Sequence, residues 1–238
     1  MKEQIEKLEA EVEALFTLTI RAYGRFAFLK PMMRNKVLLR RINRERKDEG
    51  FARLRNWLYW ALVLELNKIC SDDDKKTPSI KRITEKLKDD HDHLRKQLED
   101  KYAKGNADMD EAELRAEFND LYSKYLRRAK KLLSSQSVGG YKTIRHKLIA
   151  HNELTSSRSG PGRPSELTRI KGYDFFDVKN AKVKYGDERR LLSKLQGLIK
   201  LLLSIVRSVG CDWGTSVRIE EKVAHKFWDL QAPPDHKR

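Results

Sequence analysis

Residues 51–70 read FARLRNWLYWALVLELNKIC, and this stretch decides the fold. Drawn as a helix, it carries apolar side chains almost all the way round. We therefore expect a central helix, buried by the elements that pack against it. On both sides of it apolar residues recur three and four positions apart, which predicts further helices. No period of 20–50 residues repeats, so the sequence predicts a single all-α helical bundle with an extra N-terminal helix.

An apolar seam set among five glutamates runs through residues 2–20 and predicts a helix. The seam consists of Ile5, Leu8, Val12, Leu15 and Thr19. Two heptads are too few for an independent coiled coil, so we expect this helix to pack on its own domain. Pairing with the same helix of a second copy is the alternative.

The sign of the charge reverses after this first helix. Between Arg21 and Lys47, ten lysines and arginines accompany a single acid, Glu45. Pro31 is expected to divide the segment into two helical pieces, because proline lacks the N–H that a helix interior uses. The inner face is expected to hold Val37, Leu38 and Ile42. The densest basic block is either a phosphate-contacting surface or a solvated helix face, and it consists of Arg34, Lys36, Arg40, Arg41, Arg44, Arg46 and Lys47.

The whole chain is strongly basic. Its 238 residues include 51 Lys+Arg against 35 Asp+Glu, a formal net charge of +16. This balance favours a polyanionic partner, nucleic acid first and an anionic membrane surface second, over a basic surface without a partner. Cys70 and Cys211 lack the spacing of a disulfide framework or a zinc site. The acidic N-terminus lacks a signal-peptide core and no uncharged apolar run reaches ~18 residues, which predicts a cytoplasmic protein without a membrane span.

Two helix starts are predicted in the middle of the chain. An acidic loop follows the central helix, and Thr77 is expected to cap the next helix with Pro78 at its first position. Asp108 is expected to cap a long helix that ends at a linker over residues 134–140.

The last third of the chain mixes loops and helices. Residues 155–172 form a basic loop rich in Ser, Gly and Pro, and residues 173–178 and 181–185 are also expected to be loop. Asp187 starts a leucine-rich helix. A last amphipathic helix over residues 217–230 is expected to turn inward Val223, Phe227 and Trp228.

The stretch that bears most on function is YKTIRHKLIAHNE, residues 141–153, which predicts a short helix. On a helical wheel the apolar stripe of Tyr141, Ile144 and Leu148 continues to His151. Arg145 lies on the neighbouring edge, roughly 120° around and ~9 Å along the axis from His151. One interpretation is an interior histidine, with Arg145 at the edge of the core. The other is a site that a second chain completes.

Arginine and histidine together suit RNA cleavage without a metal. A base removes the proton of the ribose 2′-OH, whose oxygen attacks the adjacent phosphate, and an acid protonates the leaving 5′-oxygen. Histidine, with an unperturbed pKa of about 6.5, exchanges protons near neutral pH. Arginine binds phosphate oxygens with two N–H groups at once. The sequence shows no Asp/Glu/His metal cluster, so we expect neither a metal nor another cofactor.

The run from Arg145 to His151 resembles the R-x4–6-H motif of the HEPN superfamily, which are all-α domains that include defence and toxin ribonucleases. His146 occupies the place after the arginine where the family prefers a polar residue. The order of an apolar helix, the acidic residues 71–74 and Ser79-Ile-Lys-Arg-Ile83 is similar to the abortive-infection AbiU-like branch. The resemblance covers roughly residues 50–230 and leaves out the basic segment 21–47.

The resemblance implies a function and a set of residues. It implies a metal-independent endoribonuclease that acts in phage defence or as a toxin, with Arg145 and His151 catalytic and His146 and Asn152 auxiliary. Implied partners are RNA, a second copy of the chain across a two-fold axis, and an antitoxin or another regulatory protein. The candidate RNA contacts are Arg34, Lys36, Arg40, Arg41, Arg44, Lys147, Arg158 and Arg163. The alternative function is a non-catalytic RNA-binding or partner-binding helical module.

The chain is expected to divide at the end of the basic segment. Residues 1–48 would form the N-terminal helix and basic segment, residues 49–232 the HEPN-like domain, and residues 233–238 a short tail.

Overall fold

The computed structural model describes residues 2–44, 48–72, 77–89, 91–105, 110–145, 168–170, 173–175, 186–207 and 212–228. In these ranges it contains nine α-helices and one two-stranded antiparallel hairpin. The elements are α1 (Lys2–Arg34), α2 (Lys36–Arg44), α3 (Asp48–Ser71), α4 (Ile80–Asp89), α5 (His91–Lys104), α6 (Glu111–Leu133), α7 (Gln136–Ile144), β1 (Thr168–Ile170), β2 (Tyr173–Phe175), α8 (Asp187–Arg207) and α9 (Trp213–Phe227). The all-α fold class is confirmed. None of the described helices is long and apolar enough to cross a membrane.

Helix α3 is central, and its second half is much more deeply buried than its first half, although Lys68 reaches solvent. Leu62, Val63, Leu66 and Ile69 are inaccessible to solvent and join the main core. In the first half only one side is covered, and Trp57 is 70% exposed. The expectation of a helix buried along its whole length is therefore wrong at this end, because its neighbours cover only the side that carries Phe51, Arg55 and Tyr59.

Helix α1 packs on its own domain, as expected. Leu8, Val12 and Leu15 belong to the same hydrophobic core as residues of α3 and α8. Ion pairs add to this packing: Glu9 pairs with Lys101 of α5, and Glu11 accepts hydrogen bonds from Lys86 of α4 at 2.5 and 2.6 Å. The domain division at residue 48 stays a prediction.

The end of α1 differs from the expectation. The helix runs through Pro31 to Arg34, and the break lies at Asn35. Asn35 Oδ1 accepts a hydrogen bond from the Leu38 N–H at 2.9 Å, which caps α2. Pro31 does not divide the segment, because it lies in the last turn and Asn35 supplies the stop. Val37 is 72% exposed rather than inward, whereas Leu38 is buried as expected.

Both predicted helix caps are displaced by two residues. Ser79, not Thr77, precedes α4, and its hydroxyl accepts from the Arg82 N–H at 3.3 Å. Asp110, not Asp108, precedes α6, and its carboxylate accepts from the Glu113 N–H at 3.3 Å. A cap must reach the N–H three residues ahead, so the polar residue next to the first turn takes the role.

The expected linker over residues 134–140 is wrong. Only Ser134 and Ser135 separate α6 from α7, and Gly139 and Gly140 lie inside α7. Each glycine costs a helix interior roughly 0.5–1 kcal/mol relative to alanine. Burial of apolar residues on the same short helix offsets this cost, and these are Val138, Tyr141 and Ile144.

The hairpin corrects the loop expected around residues 168–175. Strands β1 and β2 pair antiparallel, with Thr168 opposite Phe175 and Ile170 opposite Tyr173. Residues 181–185 lie outside the described residues.

The C-terminal helices confirm one expectation and correct another. Helix α8 starts at Asp187 and buries its leucine face. Helix α9 starts at Trp213, four residues earlier than expected, with Asp212 as its cap. Val223 and Phe227 are exposed rather than inward, because Trp213 and Ala224 fill the interface with α1. Trp228 is buried as expected.

Asp110→Ala should lower the free energy of unfolding by about 1 kcal/mol, because the first turn of α6 loses its side-chain cap. The corresponding fall in melting temperature is about 2–4 °C for a chain of this size. Thermal unfolding followed by circular dichroism measures it. Asp108→Ala is the matched control and should leave the melting temperature unchanged. If Asp108→Ala lowered the melting temperature and Asp110→Ala did not, Asp108 would be the cap.

Candidate functional site

Arg145 lies where the end of α7 meets the end of α3. Its backbone N–H donates to the carbonyl of Tyr141, and it closes the last described turn of α7. Its guanidinium Nη1 lies 3.7 Å from Asp72 Oδ1, just beyond the last residue of α3. The side chain of Asp72 is 5% exposed and that of Arg145 is 36% exposed. A buried carboxylate thus fixes the direction of a cation that still reaches solvent.

This geometry leaves Arg145 able to bind a second anion. A guanidinium has five N–H donors, and the contact with Asp72 is an ion pair too long for a hydrogen bond. The solvent-facing part of the group can therefore hold phosphate oxygens while Asp72 keeps the side chain in place.

One turn before Arg145, Tyr141 lies in a buried polar cluster with Glu188 and Tyr59. Glu188 is buried at the start of α8 and accepts a hydrogen bond from the Gly186 N–H at 2.9 Å. Burial raises the pKa of its carboxyl group above the usual range, and the charge of Asp187 raises it further. Burial, followed by the charge of Glu188, raises the pKa of Tyr141. Tyr141, Glu188 and Tyr59 thus lie close enough for their charges to interact, on the turn that precedes Arg145.

Arg34 approaches the same region from α1. Gly186 has a φ of 96°, in the left-handed region, and a Cβ atom there would lie 3.7 Å from Arg34 Nη2. Because Gly186 also donates to Glu188, the end of α1 meets the start of α8 beside the polar cluster. Arg34 is thus the only predicted RNA contact that the described residues bring to the neighbourhood of α7.

The other predicted contacts on α2 lie elsewhere. Lys36, Arg40 and Arg41 are exposed. Arg41 Nη2 donates to the carbonyl oxygen of Trp228 at 2.9 Å, so it also joins α2 to the end of α9.

Most of the predicted site lies outside the described residues. This applies to His146, Lys147, His151, Asn152, Arg158 and Arg163, and to the side chain of Arg44. The catalytic pairing of Arg145 with His151 therefore stays a prediction. In the part of the chain that the structure describes, no three His, Cys, Asp or Glu side chains are grouped to hold a metal ion.

Two residues of this region were missed by sequence reasoning. Asp72 was assigned to a polar loop, although an acid directly after a buried apolar helix signals that it needs a partner. In the sequence, Glu188 resembles any acid in the first turn of a helix. Its burial depends on the position of α7, which starts at Gln136 and not at residue 141 as predicted.

The comparison with protein families agrees with this architecture. A model of the AbiU2 family within the HEPN superfamily matches residues 5–227. The chain belongs to the AbiU2 family. It is therefore an abortive-infection HEPN-type protein, and the resemblance found in the sequence is confirmed. The match includes α1 and α2, which the resemblance had left out. No curated protein and no solved structure matches the chain.

Glu188→Gln should change how the stability of the AbiU2 protein depends on pH. The folded-state pKa of Glu188 is raised above 4.5, so between 4.5 and the raised value the folded chain binds more protons than the unfolded chain. The contribution of Glu188 to stability therefore falls as pH rises through this window. The glutamine does not titrate, so the variant should lack this part of the fall and be at least as stable as wild type at neutral pH.

Urea unfolding between pH 4.5 and 8 measures this effect. Glu65, whose pKa burial also raises, keeps its own contribution in both proteins. The exposed Glu85→Gln is the matched control and should follow the wild-type curve. If the free energies of unfolding of Glu188→Gln and wild type changed in parallel with pH, Glu188 would not be the source of this pH dependence.

Proposed function

We propose that this AbiU2 protein is a metal-independent endoribonuclease that acts in phage defence or as a toxin. The observation that carries the proposal is Arg145, held by the buried Asp72 yet partly open to solvent. It stands six residues before His151 in a chain of the HEPN superfamily. In the proposed site Arg145 binds the phosphate and His151 transfers protons.

The proposed reaction needs no group beyond these side chains, water and the RNA. His151 removes the proton from a ribose 2′-OH, and the oxygen bonds to the adjacent phosphorus. The bond from phosphorus to the 5′-oxygen breaks, and that oxygen takes up a proton from water, which restores the neutral His151 by accepting its proton in turn. The products are a 2′,3′-cyclic phosphate and a 5′-hydroxyl. Arg145 stabilises the extra negative charge that builds on the phosphate oxygens in the transition state.

A second copy of the chain completes the proposed site. If the helix of α7 continues, Arg145 and His151 stand roughly 120° apart around the axis, so one chain does not turn both to one face. Two such helices facing each other across a two-fold axis bring the Arg of one and the His of the other to one cleft. RNA is the proposed substrate, and the exposed Lys36 and Arg40 support a role for α2 in holding it.

A non-catalytic RNA-binding module is the second candidate function. The exposed cations of α2 favour it independently of His151. In that case RNA affinity would depend on salt and survive substitution of the histidine, without any cleaved product.

Arg145→Ala and His151→Ala should each reduce RNA cleavage by about 100-fold or more, because each removes a group that acts in the transition state. Purified protein is incubated with RNA in EDTA, and the products are separated on a denaturing gel. The exposed Arg127→Ala and His93→Ala are matched controls and should cleave at the wild-type rate.

The end groups and the mass of the protein complete this test. The proposal requires a 2′,3′-cyclic phosphate or the 3′-phosphate formed from it, and light scattering should give the mass of a dimer. Wild type that leaves RNA intact, variants that cut as well as wild type, or products with a 3′-hydroxyl end would each overturn the nuclease.

Asp72→Asn should lower kcat about tenfold and change KM little, because Arg145 loses the charge that orients it and small displacements at a reacting centre are costly. Asp72→Glu should recover part of the rate. The exposed Asp120→Asn is the matched control. Since a structural defect would lower the active fraction, melting temperatures are measured for all variants. An unchanged kcat in a folded Asp72→Asn protein would remove the positioning role.

A further inference from the structure

A groove between α6 and α8 is lined by cations and has an apolar floor. Its volume is about 300 Å³. Arg128, Lys131 and Lys194 stand at its rim, and Leu132 and Leu198 form its floor. The three cations are exposed and the two leucines are buried. No acidic side chain is among the described residues that line the groove.

Gly197 keeps the groove open beside one of these cations. The glycine lies in α8, and a Cβ atom added to it would stand 3.9 Å from Arg128 Nη1. A larger side chain at this position would occupy the space in front of the guanidinium. The sequence around Arg128 adds to the positive field, since residues 124–131 contain five lysines and arginines and no acid.

A second cavity, lined by residues of α1, α8 and α9, differs from this groove in its charges. It has a volume of about 250 Å³, and several of its polar groups pair with one another. Tyr23 donates to Gln196 at 3.1 Å, and Lys30 pairs with Glu221 at 3.8 Å. In contrast, the lining of the α6–α8 groove offers cations and no anion, which selects for an anionic ligand.

We propose that the α6–α8 groove binds one nucleotide of an RNA strand. The phosphate lies between Arg128, Lys131 and Lys194, and the base lies against the apolar lining of the groove. Three cations match a phosphodiester, and the apolar floor takes the face of a base, which a phosphate alone does not need. A volume of about 300 Å³ is at the small end of ligand sites, which suits one nucleotide rather than several.

The groove is separate from the candidate cleavage site. None of its lining residues is Arg145, Asp72 or a member of the Tyr141 cluster. Binding in this groove goes beyond the proposed function and does not require cleavage. The binding proposal and the nuclease proposal can therefore fail independently. A free nucleotide carries the same chemistry, and the experiment separates it from a strand.

The probe is a fluorescent eight-nucleotide oligoadenylate with 2′-O-methyl groups, which cleavage by 2′-OH attack cannot cut. Binding is followed by fluorescence anisotropy at several salt concentrations. Arg128→Ala, Lys131→Ala and Lys194→Ala combined should weaken binding about tenfold or more and reduce the salt slope by about 0.7, the value for one phosphate contact on a single strand. The control combines Lys88→Ala, Lys96→Ala and Lys104→Ala, three exposed lysines, and removes the same charge.

A neutral substitution tests the shape of the groove. Gly197→Leu should weaken binding to a similar degree without changing the charge, because it fills the space beside Arg128. Gly50→Leu is its control, since Gly50 is an exposed helical glycine with nothing within 4 Å of an added Cβ. Melting curves confirm that the variants are folded, and His151→Ala should bind the probe like wild type.

Competition identifies the ligand. A strand of the same length without bases should compete at least about tenfold more weakly than the oligoadenylate, because it has no base to contact the apolar lining of the groove. Equal losses in the two triple variants would show that only net charge matters and overturn the site. Unchanged binding of the probe by Gly197→Leu would also overturn the site. If 5′-AMP displaces the probe at concentrations at which 5′-AMP saturates the protein, the groove binds a free nucleotide. This result would overturn the proposal that it binds an RNA strand.

Discussion

The second half of α3 imposes the constraint on which the rest of the structure depends. This half buries the polar side chains Glu65, Asn67 and Ser71, and the buried Asp72 follows it directly. A buried charge is tolerated only with a partner, so neighbouring helices must supply cations at fixed positions. Arg25 of α1 pairs with Glu65, supported by Arg21 at 3.7 Å, and Arg145 of α7 pairs with Asp72 at 3.7 Å. These polar residues thereby set where α1 and α7 pack. The apolar residues of α3 supply the buried surface that stabilises this packing.

The distribution of ion pairs explains why the net charge of +16 is felt on particular surfaces. Three glutamates of the first half of α1 are matched by cations of other helices: Glu9 by Lys101, Glu11 by Lys86 and Arg82, and Glu13 by Arg207. These acids bind the helices together and neutralise cations of α4, α5 and the end of α8. The exposed cations of α2 and those that line the α6–α8 groove take no part in these pairs. Composition alone indicates an anionic partner, and the ion pairs restrict where such a partner can dock.

The sequence predicts what depends on long apolar periods and misses what depends on single polar contacts. The stripes of α1 and α8 are confirmed, because many apolar positions agree on one face. Pro31, Thr77 and Asp108 were assigned the wrong roles, because a nearby Asn35, Ser79 or Asp110 makes the decisive hydrogen bond.

Helix α7 was placed too late for a related reason. Its glycines suggest a break, and only the burial of Val138 and Tyr141 shows why the helix persists. In the candidate site Arg145 was found from its motif. Asp72 and Glu188 were not, since their importance comes from burial, which a residue's own type does not reveal.

The pair of Asp72 and Arg145 is better explained by positioning than by stability. An ion pair with one partner 36% exposed contributes about 0–1 kcal/mol, because solvent screens it. Burying the carboxylate costs more than such a pair returns, and an apolar residue at the end of α3 would avoid that cost. What the carboxylate provides is direction: it holds a guanidinium at the end of α7 without covering its donors. A stable core does not require this, whereas an anion-binding site six residues before a histidine does.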